Sequence, residues 1–299
     1  MSNDIVITSA LRTAVGSLGK SLKNAKAEDL GAAVISEVVK NLNISNDKID
    51  EIIMGQVLTG GSGQNPARQA AIISGIPKEK PAFVVNQVCG SGIRSVASGF
   101  QSIKSGDSKI IVAGGQENMS LAPHVVYLRE GKKLGDVKLI DTMIKDGLWD
   151  AFNGYHMGIT AENVAEKFQI TRDEQDIFAL NSQEKALKAQ KENKFKNEII
   201  NFKIKTKKSE INFDKDEHPR EGINLETLKK LKPVFKKNGT VTAGNASGIN
   251  DGAAAVTLMS SEEANKINLK KLVSIKSWAS CGVDLSLIHI SEPTRQEAI

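Results

Sequence analysis

Residues 83–106 read FVVNQVCGSGIRSVASGFQSIKSG. The first six, FVVNQV (83–88), are rich in β-branched residues and predict a strand. SGIRSVASGFQSIKSG (91–106) predicts a helix closed by Gly106. Cys89 stands at the junction, and Gly90 and Gly92 permit a tight turn there. The helix would point its free N–H groups and positive dipole end back toward the sulfur. A strand that feeds a helix through so short a turn is the repeating unit of an α/β domain.

The same texture extends in both directions. DIVIT (4–8) reads as an apolar strand. AEDLGAAVISEVVKNL (27–42) follows, with Leu30, Val34, Val38 and Leu42 at four-residue spacing on one helix face. EIIMGQVL (51–58) returns as a strand. Asn65 and Pro66 open the next helix as cap and first turn, and Gly75 ends it. KIIVAGG (109–115) is another strand, and DGAAAVTLMS (251–260), a short helix and KLVSIKSWAS (271–280) resume the pattern later. Strand and helix alternation implies an α/β fold with a buried parallel or mixed sheet.

Between these stretches the character changes. From about residue 118 the periodicity weakens and glycines scatter. Thr171 to Glu174 form a capping box ahead of a long helix. Residues 203–237 hold eleven Lys or Arg against six Asp or Glu. This middle section reads as loops and helices inserted into the α/β domain. At the other end, LSLIHISEPTR (285–295) looks like the conceptual translation of a transposase sequencing adapter. Residues 285–299 are therefore expected to be foreign, with native sequence reaching only Asp284.

Composition excludes several classes. Apolar residues make up 40% of 299, enough for a substantial core, and aromatics only 4%, so that core rests on Ile, Val, Leu and Ala. No apolar run has the length of a membrane span. The N-terminus lacks a basic-then-apolar leader pattern, so a cytoplasmic location is expected. Two cysteines and four histidines support neither a disulfide framework nor a structural metal site. A net charge of +5 suits a polyanionic small molecule as well as nucleic acid. The basic stretch lacks the interleaved aromatic platforms of a nucleic-acid reader, so neither nucleic acid nor membrane is expected as a partner.

Cys89 has two readings from its own residues: a nucleophile activated at a helix start, or an inert buried thiol. The surrounding blocks decide between them. NQVCGSG (86–92) resembles the acyl-accepting motif of thiolases. GGQENMS (114–120), HMGITAENVAEKF (156–168), DEQDIFALNSQEKALKAQ (173–190) and GTVTAGNASGINDGAAAVTLM (239–259) also resemble thiolase blocks, in the family's order. The resemblance covers residues 4 to 284. It implies the thiolase fold, a layered αβαβα arrangement of two similar halves. Residues 1–118 and 250–270 would belong to the N-terminal half, 119–249 to a loop domain over the active site and CoA, and 271–284 to the start of the C-terminal half. In this reading most of the C-terminal half is missing.

The resemblance also implies a chemistry. Cys89 would carry an acetyl group as a thioester, in condensation of two acetyl-CoA to acetoacetyl-CoA and CoA or in the reverse thiolysis. His156 and Met157 would face the pantetheine and favour a short acyl chain. Arg220 would lie along the CoA nucleotide and Ser247 near the pantetheine, with Leu148, Phe235 and Ala243 lining the cleft. Thr227 stands where the family usually has Ser. Acetyl-CoA, acetoacetyl-CoA and CoA are the implied partners, with a homodimer or homotetramer as the assembly. No metal and no resident cofactor is implied. In the family the base for the nucleophile is a histidine in a Gly-His-Pro block, and a second cysteine serves the other step. This sequence contains no Gly-His-Pro, and the chain as written is expected to turn over little. Cys281 is expected in a strand, as a small core residue. Two alternatives stay open: a thiolase of broader chain length, and a non-catalytic acyl-CoA-binding protein of the same fold.

Overall fold

In the computed structural model, residues 4–205 and 209–288 are described. One sheet organises the α/β part, and its residues alternate between two apolar clusters. Ile52, Met54, Ile110 and Val112 face one, and Ile53, Ile111 and Ala113 face the other. This period of two puts both faces of the sheet against helices.

The sheet has seven strands: β1 Ile5–Arg12, β2 Gly16–Ser17, β3 Glu51–Gly55, β4 Ala82–Val85, β5 Ile110–Asn118, β6 Asn250–Ser260 and β7 Val273–Ile275. Their order is β7-β1-β6-β5-β3-β4, with β2 paired to β6. β3 pairs in parallel with β4 and β5, whereas β6 is antiparallel to β1 and β5. The sheet is thus mixed. The run 271–280, expected to start a second half, supplies only β7, and β7 pairs with β1 at the edge of this sheet. The strand expected over 83–88 stops at Val85. The one expected over 51–58 stops at Gly55.

Helices α1 (Ala27–Lys40) and α2 (Pro66–Ile73) cover one face. Leu30, Val34, Val38 and Leu42 are all buried there, as their spacing requires. The Asn65 side chain accepts the Arg68 N–H at the start of α2, and Pro66 occupies the first helical position. Helix α3 (Ser91–Ser105) covers the other face, with Ile103 buried against Ile53, Ile111 and Leu258.

The polypeptide forms two compact units. The first comprises Met1–Met143, Lys194–His218 and Ile249–Ala279; the second comprises Ile144–Asn193, Pro219–Gly248 and Ser280–Ile299. The loop section expected over 119–249 therefore contributes to both. Residues 194–218 return to the first unit because Arg12 on β1 grips them. Its guanidinium donates twice to Asp216, at 2.7 and 3.0 Å, and once to Glu198 at 2.7 Å.

The second unit is built on α4 (Met157–Lys167), α5 (Arg172–Lys191) and the short α6 (Leu225–Lys229). The capping box expected at Thr171 and Glu174 is formed. Leu285–Leu287 make a single 3-10 turn opened by the Asp284 side chain, and Asn163 donates to Ser286 O at 3.1 Å. The rest of the segment expected to be foreign, 289–299, lies outside the described residues.

Helix backbone comes close to the sheet at Gly55, at the end of β3. A Cβ there would fall 2.5 Å from the Ser91 carbonyl carbon and 2.6 Å from the Gly92 nitrogen. Both are backbone atoms at the start of α3, so no rotamer change relieves the clash. Gly55→Ala should lower stability by about 1–3 kcal/mol, read as a shift of the urea midpoint at unchanged slope. An unchanged midpoint would mean that α3 is not seated on β3 as described.

Candidate active site

Cys89 is exposed and lies one residue before Gly90, the N-cap of α3. The turn that carries it is fixed from three sides. Val88 has φ +48°, a left-handed conformation rare for a β-branched residue. Its N–H donates to Asn86 Oδ1 at 2.9 Å. Ser91 Oγ accepts the Gln87 N–H at 2.8 Å and donates to the Val88 carbonyl. Gly90 and Ser91 N–H groups bond back to Gln87 and Val88 carbonyls at 3.0 Å. Gly90 supplies no side-chain cap. Cys89 therefore stands next to the N-terminus of α3, where the helix dipole favours negative charge.

The other seven residues singled out in the sequence, Leu148, His156, Met157, Arg220, Phe235, Ala243 and Ser247, all lie in the second unit. His156 is the N-cap of α4, and its Nδ1 accepts the Gly158 N–H at 3.0 Å. The proton of the neutral ring therefore sits on Nε2. Phe235 stacks on the imidazole, with centroids 4.7 Å apart and planes at 18°. Gly158 makes room for this, since a Cβ there would fall 2.3 Å from the Phe235 ring. Burial pushes the His156 pKa below its ordinary 6.5. Met157 is the first residue of α4, and Leu148 ends the π-helical turn Met143–Leu148; both are half-buried.

Ala243 and Ser247 are exposed on one loop, and buried acids hold that loop. Glu162 of α4 accepts the N–H groups of Thr240 and Val241 at 2.9 and 2.8 Å and the Thr240 hydroxyl at 2.9 Å. Asp176 of α5 accepts from Asn245 at 2.9 Å and from Arg172 at 2.8 Å. Glu162 and Asp176 were not singled out as functional from the sequence. A buried carboxylate inside a polar helix leaves no periodic signal. Arg220 is exposed, and its N–H donates to Gln183 of α5 at 3.0 Å. Several lysines of the basic stretch are paired: Lys203 with Glu210, Lys229 with Asp173 and Lys236 with Glu166. Cys281, expected as a core residue in a strand, lies outside β7 and is exposed. Among the described residues, no helix is long and apolar enough to cross a membrane.

Comparison with known proteins accounts for this arrangement. The family described as "Thiolase, N-terminal domain" matches residues 5–262. The chain belongs to the thiolase family and has its α/β fold. It is 58% identical over 285 residues to an acetyl-CoA acetyltransferase of Rhizobium meliloti, covering 95% of this chain and 72% of that one. It is 48% identical over 289 residues to a probable acetyl-CoA acyltransferase of Staphylococcus aureus, covering 96% and 74%. The crystal structure of the Bacillus anthracis acetyl-CoA acetyltransferase superposes with a TM-score of 0.93 at 39% identity, over 96% of this chain and 74% of that one.

The burial of His156 gives a pH prediction. Its folded pKa lies below the unfolded value, so the unfolded chain binds the proton more readily. The stability this residue contributes is complete above pH 6.5 and is lost as the pH falls through that value toward the folded one. NMR titration of the imidazole should give a midpoint below 6.5, and Phe235→Ala should move it back up by opening the ring to water. A midpoint unmoved by Phe235→Ala would locate the cause elsewhere.

Proposed function

We propose that this chain is an acetyl-CoA C-acetyltransferase, joining two acetyl-CoA to acetoacetyl-CoA and CoA or running the thiolysis in reverse. One observation carries the reading: Cys89 is exposed immediately ahead of the N-terminus of a fifteen-residue helix, within the region that matches the family. Relatives 50–58% identical over most of the chain bear the acetyl-CoA acetyltransferase name. In the first half-reaction the Cys89 thiolate attacks the thioester carbonyl. The carbon–sulfur bond to CoA breaks, and CoA leaves as its thiol with the proton that the Cys89 thiol gave up. In the second, a carbanion formed at the methyl of another acetyl-CoA takes the acetyl group, and the thiolate returns.

His156 and Met157 are assigned to the pantetheine, Ser247 beside it, Arg220 to the CoA nucleotide, and Leu148, Phe235 and Ala243 to the cleft lining. The short-chain preference rests on His156, and a broader-chain thiolase is the alternative. CoA thioesters serve as substrates, and no resident cofactor is invoked. A homodimer or homotetramer in the cytoplasm completes the reading. We further propose that residues 285–299 are foreign to the gene. A long read through the codon for Asp284 tests this, and a frame that itself encodes LSLIHISEPTRQEAI would overturn it.

The chemistry is tested by incubating the chain with acetyl-CoA and mapping its peptides by mass. An acetyl group should appear on the Cys89 peptide and be absent in Cys89→Ala. The thioester should yield to hydroxylamine. Acetyl-CoA that protects Cys89 from alkylation without acylating it would favour the non-catalytic, acyl-CoA-binding alternative.

A further inference from the structure

We infer that Asn86 and Glu117 are positioning residues for Cys89, linked through the backbone of residues 57 and 58. The inference rests on Cys89 being the acyl acceptor. Its basis is a continuous set of hydrogen bonds within the first unit. Glu117, near the end of β5, accepts the Val57 N–H on Oε2 at 2.7 Å and the Leu58 N–H on Oε1 at 3.3 Å. Both carboxylate oxygens are thus committed to one short segment after β3. The Val57 carbonyl on the same segment accepts from Asn86 Nδ2 at 3.3 Å. The opposite end of that carboxamide, Oδ1, accepts the Val88 N–H at 2.9 Å. Asn86 therefore uses its donor to anchor itself to the 57–58 segment and its acceptor to hold the residue before the nucleophile.

Such a clamp is needed because of Val88. A β-branched residue at φ +48° persists only where its surroundings over-determine it. Released, Val88 would relax to negative φ, and the next residue would swing with it. That next residue is Cys89. An Asp at 86 keeps the acceptor for Val88 but replaces the donor with an oxygen that faces the Val57 carbonyl. A Gln at 117 keeps one acceptor and presents an amide N–H to the other donor. Each substitution breaks one joint and leaves the side-chain volume nearly unchanged. Burial also raises the Glu117 pKa above its ordinary value, against the two backbone N–H groups that lower it.

The test uses the full chain and its two exposed cysteines. Iodoacetamide alkylation of Cys89 is measured as a ratio to that of Cys281 in the same sample, together with acetyl transfer from acetyl-CoA to Cys89. A general loosening would move both thiols, whereas a positioning effect moves the ratio. Asn86→Asp and Glu117→Gln should each lower both readouts about tenfold, the scale expected for a misplaced reacting group. The urea midpoint is followed in parallel as a check on folding. The double variant should be no worse than the more affected single one, because both act on one set of bonds. Unchanged ratios in the two single variants, or additive losses in the double, would overturn the inference. If Glu117→Gln does not fold, Asn86→Asp alone decides. A wild-type chain that takes no acetyl group would defeat the functional reading instead, and the alkylation ratio would still test the clamp.

Discussion

The arrangement of the first unit depends on one close contact, the start of α3 against the end of β3. Gly55 allows the Ser91–Gly92 peptide to rest on the sheet with no side chain between them. From there the helix runs over the strands on small residues at four-residue spacing, Ser91, Ser95 and Gly99, all buried. Ser95 Oγ lies 2.7 Å from both the Gly92 and Gly114 carbonyls, which ties the first turn of the helix to β5. Beside these small residues α3 presents larger ones, Val96, Phe100 and Ile103, to the apolar cluster. A helix held at this distance fixes the position of its own N-terminus, and the nucleophile turn inherits that position. The position of Cys89 is therefore set by the absence of side-chain bulk beneath the start of α3.

The second unit is held by other means. Of the twenty residues of α5, only Asp176 is buried. What it and Glu162 bury are negative charges, each surrounded by donors from the loop that carries Ala243 and Ser247. Such groups are costly to bury without partners and directional once partnered. An apolar contact would hold the loop nearby without choosing its shape. Four hydrogen bonds to two carboxylates select one backbone conformation and leave Ala243 and Ser247 facing outward. This explains how so polar a segment folds with so few aromatic residues.

The sequence made local structure legible and left non-local pairing obscure. The face of α1, the Asn65–Pro66 start of α2, the Thr171 capping box and the helix after Cys89 were all readable, because each is written within one or two turns of chain. Cys89 itself stood out as a thiol at a strand-to-helix junction. The end of β4 was misjudged because Val88 extends the β-branched pattern of Val84 and Val85 past the two amides. The Asn86 side chain bends it into a turn that composition does not announce. The pairing of β7 was not legible for a different reason: its partner, β1, lies at the far end of the sequence. Glu162 meets its partners 78 residues later, and Asp176 meets Asn245 69 residues later, so no local pattern could have named them. The motifs that resembled thiolase blocks carried this long-range information without explaining it.

Val88 shows why such information cannot be reduced to preference. A glycine would adopt φ +48° at no steric cost, whereas valine costs about 1–3 kcal/mol there. Three hydrogen bonds that involve side chains act on the turn: Val88 to Asn86, Gln87 to Ser91, and Ser91 to Val88. At roughly 0.5–1.5 kcal/mol each, they about offset the strain. A glycine turn would be more stable and would also sample many conformations, each aiming the cysteine differently. With valine, few alternatives are available, and the one that satisfies the clamp is the one occupied. The strain limits the directions in which the thiol can point, and the clamp selects among them.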